Sequence, residues 1–145
     1  MHRTGKILTS KDAYARFESI LQEHGMDISE RQWQNWVGSS KVYSIIWSGR
    51  RRFDPEHINE VATRYVQSNG RAYSVYVFDK DTNKVIENLN SYQCAQLWNY
   101  SDRQTQNLIV SGKVRHLRIG HEYFVPKEEA LRYQVELRSG ASDQG

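Results

Sequence analysis

The sequence predicts an α+β fold, mainly helical, in which one small unit occurs twice. Two observations predict it. Residues 29–42, SERQWQNWVGSSKV, and residues 101–114, SDRQTQNLIVSGKV, agree at eight of fourteen positions at an offset of 72, where about one agreement would arise by chance. Each copy also follows a helical stretch and precedes a β-branched and aromatic run, a Gly turn and a helix-opening proline. The order in each half is therefore helix, turn, helix, β-hairpin, helix.

In the first half, Ser10 is the expected N-cap of a helix over 11–24, with Ala13, Phe17, Ile20 and Leu21 as its apolar stripe. Gly25 is its expected stop. Ser29 caps a second helix over 30–37, ended by Gly38, Ser39 and Ser40. The run 42–47 predicts a strand, Ser48-Gly49 a tight turn, and 50–53 the return strand. Pro55 opens a helix to about 66. The second half repeats this order: Ser91 caps a helix over 92–99, and Ser101 caps one over 102–110. A strand over 113–119, a turn at Gly120 and a strand over 122–125 follow, and Pro126 opens a last helix to about 135.

Between the halves, 72–78 is a strand signal, 79–83 a turn and 84–87 a partner strand. A lone hairpin is only marginally stable, so it must pack on one half or on a second copy of the chain. Completion of the second half's sheet is the favoured reading. The other is self-association through the hairpin from Ala72 to Glu87, by strand addition at its unpaired edge. The expected organisation is unit 1 over 1–69, a β-hairpin linker over 70–88, unit 2 over 89–138 and a polar, disordered tail over 139–145.

Composition bounds the function. A chain of 145 residues holds one ordinary domain or two very small ones. With 38% hydrophobic and 26% charged residues it reads as globular, neither disordered nor membranous. No apolar run reaches the roughly 18 residues of a membrane span, and MHRTGKILTS holds no apolar stretch long enough for a signal peptide. The expected location is the cytoplasm, in agreement with a single cysteine, Cys94. The net charge of +3 is compatible with nucleic acid, and its distribution is more informative. Arg50, Arg51 and Arg52 form a run, and 101–118 holds Arg103, Lys113, Arg115 and Arg118 against the single acid Asp102. Asp54, Glu56, Glu128 and Glu129 gather at predicted helix starts, where the helix dipole favours acids.

On a helical wheel, Trp33, Trp36 and Val37 share one face of the first repeated helix, and Thr105, Leu108 and Ile109 share it in the second. Arg31 and Asn35 lie opposite, with Gln32 and Gln34 on the flanks, matched by Arg103, Asn107, Gln104 and Gln106. The inner face has changed between copies while the outer face has not. Packing alone predicts the reverse, because exposed positions tolerate substitution. An unchanged polar surface points to one kind of target met twice. Arginine pairs with guanine O6 and N7, and asparagine or glutamine with adenine N6 and N7. The first turns of a helix laid in the major groove place such residues at base edges. The expected target is double-stranded DNA, with these eight residues reading bases. Ser29, Lys41, Arg50, Arg51, Arg52, Ser101, Lys113, Arg115, Arg118 and His121 would hold the backbone from helix starts and hairpin. The first hairpin is the more basic, so the second is expected to contact the backbone more weakly.

The second half, NSYQCAQLWNYSDRQTQNLIVSGKVRHLRIGHEYFVPKEEAL, resembles the excisionase and MerR-type winged helix-turn-helix family. Ala95 matches the small residue of its first helix, and 101–105 the start of its recognition helix. Ser111-Gly112-Lys113 matches the turn into the wing, Ile119-Gly120 the wing tip, and 124–127 the strand passing into the next helix. The first half departs from the pattern, with a longer first helix and loop and with GRRRFDPEHI in place of GHEYFVPKEE. It joins the resemblance through the internal repeat. The resemblance implies two tandem winged helix-turn-helix units joined by a β-hairpin. It also implies site-specific DNA binding in transcription regulation or in recombination and excision, in a prokaryote, phage or mobile element. The family also includes phage packaging proteins, so an assembly module using Tyr73, Tyr76 and Phe78 as its contact surface is the alternative class.

Other chemistry has little support. His116, His121 and Glu122 flank one turn but lack the further ligands a metal site needs. His24 and His57 have no partner in sequence, and Cys94 beside Ala95 and Leu97 reads as a buried small residue. There is no Gly-rich phosphate loop and no catalytic constellation. Neither an enzyme activity, a cofactor nor a small-molecule substrate is expected. Trp33, Trp36 and Trp98 are core candidates, and Trp47, near a hairpin tip, is a candidate for stacking on a base or a partner.

Overall fold

The computed structural model describes residues 7–140. Among these the chain forms six helices and two sheets, an α+β fold, in two compact units divided in sequence between Tyr73 and Ser74. Residues 1–6 and 141–145, the latter holding most of the expected tail, lie outside the described residues. No helix among the described residues is long and apolar enough to cross a membrane.

Unit 1 contains α1 (Ser10–Glu23), α2 (Glu30–Gly38), a hairpin of β1 (Ile45–Trp47) and β2 (Arg50–Arg52), and α3 (Pro55–Gln67). Thr9 caps α1 in place of the expected Ser10. Its hydroxyl accepts the Asp12 N–H at 3.2 Å, while the Ser10 hydroxyl accepts the Trp33 indole N–H at 3.3 Å. The core forms around Trp33, whose ring centroid lies 5.5 Å from those of both Phe17 and Phe53. Ala13, Leu21, Ile58 and Ala62 close it, all fully buried. An isolated bridge between Leu8 and Phe53 ties the segment before α1 to the end of the hairpin.

Unit 2 contains β3 (Ser74–Asp79), β4 (Lys84–Asn90), α4 (Ser91–Trp98), α5 (Asp102–Val110), β5 (Leu117–Ile119), β6 (Glu122–Pro126) and α6 (Lys127–Arg138). The β3–β4 hairpin is no separate linker. β4 runs on to Asn90 and pairs antiparallel with β6, giving one sheet of order β3-β4-β6-β5. Val75 and Leu89 are buried, which gives the hairpin the apolar contact it could not supply alone. Asn90 therefore ends a strand and caps α4 in place of Ser91, in a reciprocal pair with Gln93. Trp98 fills the core of this unit. Its indole N–H donates to the Ala130 carbonyl at 2.9 Å and its ring meets Tyr133 edge-on at 5.1 Å.

In both units the strand leading to the hairpin is shorter than the sequence predicts. Val42 and Val114 are buried, but the next N–H is already taken by a side chain. The Tyr43 N–H donates to His57 Nε2 at 2.8 Å, and the Arg115 N–H donates to Glu129 Oε2 at 2.9 Å. Those two donors are satisfied outside the ladder, and β1 and β5 begin two residues further on, at Ile45 and Leu117. His57 and Glu129 each stand third in the helix that follows the hairpin, because α3 starts at Pro55 whereas Pro126 ends β6 and α6 starts at Lys127. The two units thus use one device with different chemistry.

Candidate nucleic-acid interface

The α2 and α5 helices are alike in more than sequence. From 29 to 38 and from 101 to 110, buried, half-buried and exposed positions coincide one for one. Trp33 and Val37 are buried in α2, as are Thr105 and Ile109 in α5. Arg31, Gln34 and Asn35, and likewise Arg103, Gln106 and Asn107, are exposed. Their side chains make no hydrogen bond or ion pair among the described residues.

Gln32 and Gln104 belong to a different group. Gln32 Oε1 accepts the Ser29 N–H at 2.8 Å, and Ser29 Oγ accepts the Gln32 N–H at 3.1 Å. Gln104 and Ser101 do the same at 3.0 and 3.1 Å. These are capping boxes, which satisfy amide donors left over at a helix start. The Ser and Gln identities between repeats therefore follow from helix initiation and need no target. Ser39 and Ser111 close the far ends, with hydroxyls donating to the Asn35 carbonyl at 2.8 Å and the Leu108 carbonyl at 2.7 Å. Val42 and Val114 are core residues. Among the eight repeated residues, only Arg31, Gln34, Asn35 and Lys41 lack such an account.

Lys41 is not extended toward solvent. Its ammonium lies 4.6 Å from the Tyr73 ring centroid and 5.6 Å from that of Trp36. Lys113 is exposed, and Leu108 stands where Trp36 stands in unit 1. In the first hairpin, Arg50 and Arg51 are exposed and Arg52 is half-buried. Arg51 donates to Ser44 Oγ at 2.9 Å, and Arg52 to the Arg51 carbonyl at 3.0 Å. In the second hairpin, Arg118 folds back. Its Nε donates to the Gly120 carbonyl at 3.0 Å, and its guanidinium lies 5.7 Å from the Tyr123 ring centroid. His121 is exposed at the tip.

Arg115 is held by Glu129, which the sequence reading gave no role beyond the helix dipole. The Glu129 carboxylate is buried and accepts two bonds from Arg132, at 2.9 and 3.1 Å, besides the Arg115 N–H. The Arg115 guanidinium lies 3.8 Å away. Hydrogen bonds from Arg132 first, and then the Arg115 N–H, hold the Glu129 carboxyl at about 2, against the opposing effect of burial. A depressed carboxyl pKa stabilises the folded state above the ordinary value near 4.5, and the benefit is lost as pH falls toward 2. Glu129→Gln is expected to cost unit 2 about 1–3 kcal/mol at pH 7. The gap from the native protein should narrow below about pH 4. Thermal unfolding across that range measures it, and a gap constant with pH would remove the ionic part of the account.

The Cys94 thiol is buried, and burial pushes its pKa up to about 12, so it is no nucleophile at neutral pH. His116 Nδ1 lies 3.1 Å from the Val114 carbonyl and its ring packs edge-on against Tyr123. No family model matches the chain, and no curated protein or solved structure matches it either.

Proposed function

We propose that the chain is a sequence-specific double-stranded DNA-binding protein made of two tandem winged helix-turn-helix units, with α2 and α5 as recognition helices. One observation carries the reading. After the capping and core residues are set aside, the same three side chains, Arg, Gln and Asn, stand exposed and, among the described residues, unbonded at the same positions of both helices. Their hydrogen-bonding groups are those that pair with guanine and adenine edges. The helix N-terminus adds a favourable field for a phosphate. Arg31, Asn35, Arg103 and Asn107 read bases, with Gln34 and Gln106 beside them. Arg50, Arg51, Lys113 and Arg118 hold phosphates, Arg118 by turning out from Tyr123.

Two weak reading units in one chain gain affinity through effective concentration. Tandem order favours a direct repeat of the DNA motif. By the family resemblance, the process is transcription regulation or an accessory role in recombination or excision. Selection of bound duplexes from a random pool tests the reading. A short motif occurring twice at fixed spacing is the expected result, with affinity falling steeply between two salt concentrations as phosphate contacts require.

The second reading is an assembly module. It is favoured by β3, an edge strand with Val77 and Phe78 41% and 55% exposed. Such an edge invites strand addition by a second copy. Concentration-dependent oligomers together with no duplex binding at low salt would select it.

A further inference from the structure

The two hairpins have different surfaces, and the difference points to a task for the first. In unit 1 the hairpin stands as a two-stranded sheet with Ile46 opposite Arg51 and Trp47 opposite Arg50. Neighbouring strand residues face opposite ways, so each face of the tip carries one large apolar side chain and one guanidinium. Ile46 is 67% and Trp47 57% exposed. The turn between them and the arginines is only Ser48-Gly49, both at positive φ (54° and 76°), the narrow two-residue form that suits a hairpin. No side chain larger than serine stands ahead of Trp47. In unit 2 the matching tip has Ile119 opposite Glu122, which puts a carboxylate where Arg50 stands, and Arg118 is bonded back onto Gly120.

We propose that the β1–β2 hairpin is a wedge for the base stack. Trp47, the residue next to the turn, enters between adjacent base pairs of bound duplex DNA from the minor groove, Ile46 on the other face packs against the groove wall, and Arg50 and Arg51 hold phosphates. This rests on the DNA-binding reading of α2 and α5. The guanidinium groups identify a polyanion as the occupant, and the apolar residue beside each of them needs a surface that water leaves readily. An opened base step, flanked by its phosphates, supplies both. Apolar side chains flanked by arginine open minor-groove steps in this way, and an indole stacks on any base because every base has a π-face. The second hairpin, with its carboxylate, touches the backbone without entering.

The test uses the full chain and a duplex it selects, with 2-aminopurine placed at successive positions. The expected result is a several-fold fluorescence rise at one step, and about tenfold tighter binding when that step carries a mismatch, because the opening is then already made. Trp47→Ala should abolish both effects while keeping the preferred motif; Trp47→Phe should keep part of each. Retention of the rise in Trp47→Ala overturns the wedge. So does motif-specific binding by the native chain with no rise at any position, and that outcome leaves the recognition helices standing. Trp47-dependent binding to phosphatidylserine vesicles with no change on DNA overturns it in favour of a membrane surface. Failure to bind any duplex overturns the wedge and the DNA-binding reading together.

Discussion

Arg31→Ala and Arg103→Ala are each expected to weaken binding to a selected duplex by about 1–3 kcal/mol and to relax the preference at one base pair. Among the described residues neither side chain has a hydrogen-bond or ion-pair partner, so neither change removes such a contact there. Alanine is also a better helix former than what it replaces. The folded state should therefore lose nothing, and the whole effect should appear on DNA. If each arginine reads its own half-site, the double variant should lose about the sum. Gln32→Ala is the informative control. It removes a capping bond, so it should lower stability by about 1 kcal/mol and leave the base preference alone. Anisotropy titrations on the selected and a scrambled duplex measure all three. An equal loss on both duplexes for the arginine variants would reduce them to phosphate contacts.

The pairing of Arg31 with Arg103 was legible because a duplicated sequence offers an internal comparison, and one helix period separates inner from outer residues. The same comparison does not separate out Gln32 and Gln104, whose side chains hold capping boxes. An exposed, unchanged residue can be fixed by the backbone as firmly as by a target, and Ser29 and Gln32 three apart before an apolar residue carry the signature of a capping box. His57 and Glu129 were missed for a different reason. Aligning Pro55 with Pro126 sets His57 against Glu128, whereas the helix starts set it against Glu129. Proline is the first helical residue in one unit and the last strand residue in the other, because Pro126 is drawn into the ladder by Asn88. Register of that kind depends on a strand far away in sequence, and no local pattern reports it. The hairpin's membership of the second sheet depends on the same long-range pairing. The exposure of Trp47 was legible only as a position near a predicted turn. Its surface follows from the unit 1 hairpin having two strands, where the unit 2 hairpin sits in a sheet of four.

Trp98→Ala is expected to cost unit 2 about 3–5 kcal/mol, a large part of what a unit of this size can hold. Three losses combine. The ring is nearly fully buried and its removal leaves a cavity among Cys94, Ile109 and Val125. The edge-on contact with Tyr133 is lost. The Ala130 carbonyl, which accepts the indole N–H, is left without that donor in a closed interior. Trp98→Phe keeps most of the volume and isolates the hydrogen bond, with an expected cost of about 1–2 kcal/mol. The repeat explains why this residue cannot be traded. In unit 1 the large ring comes from α2, as Trp33, packed against Phe17 and Phe53; in unit 2 the same α5 position is Thr105, whose hydroxyl donates to the Ser101 carbonyl at 2.9 Å. The bulk has moved from the second helix to the first, so each core is filled by a tryptophan the other unit lacks at that place. Trp33→Thr, which copies unit 2, should therefore destabilise unit 1 about as much as Trp98→Ala destabilises unit 2. Urea unfolding followed by near-ultraviolet circular dichroism measures both. A loss under about 1 kcal/mol in either variant would mean that the ring occupies space the core can close without it.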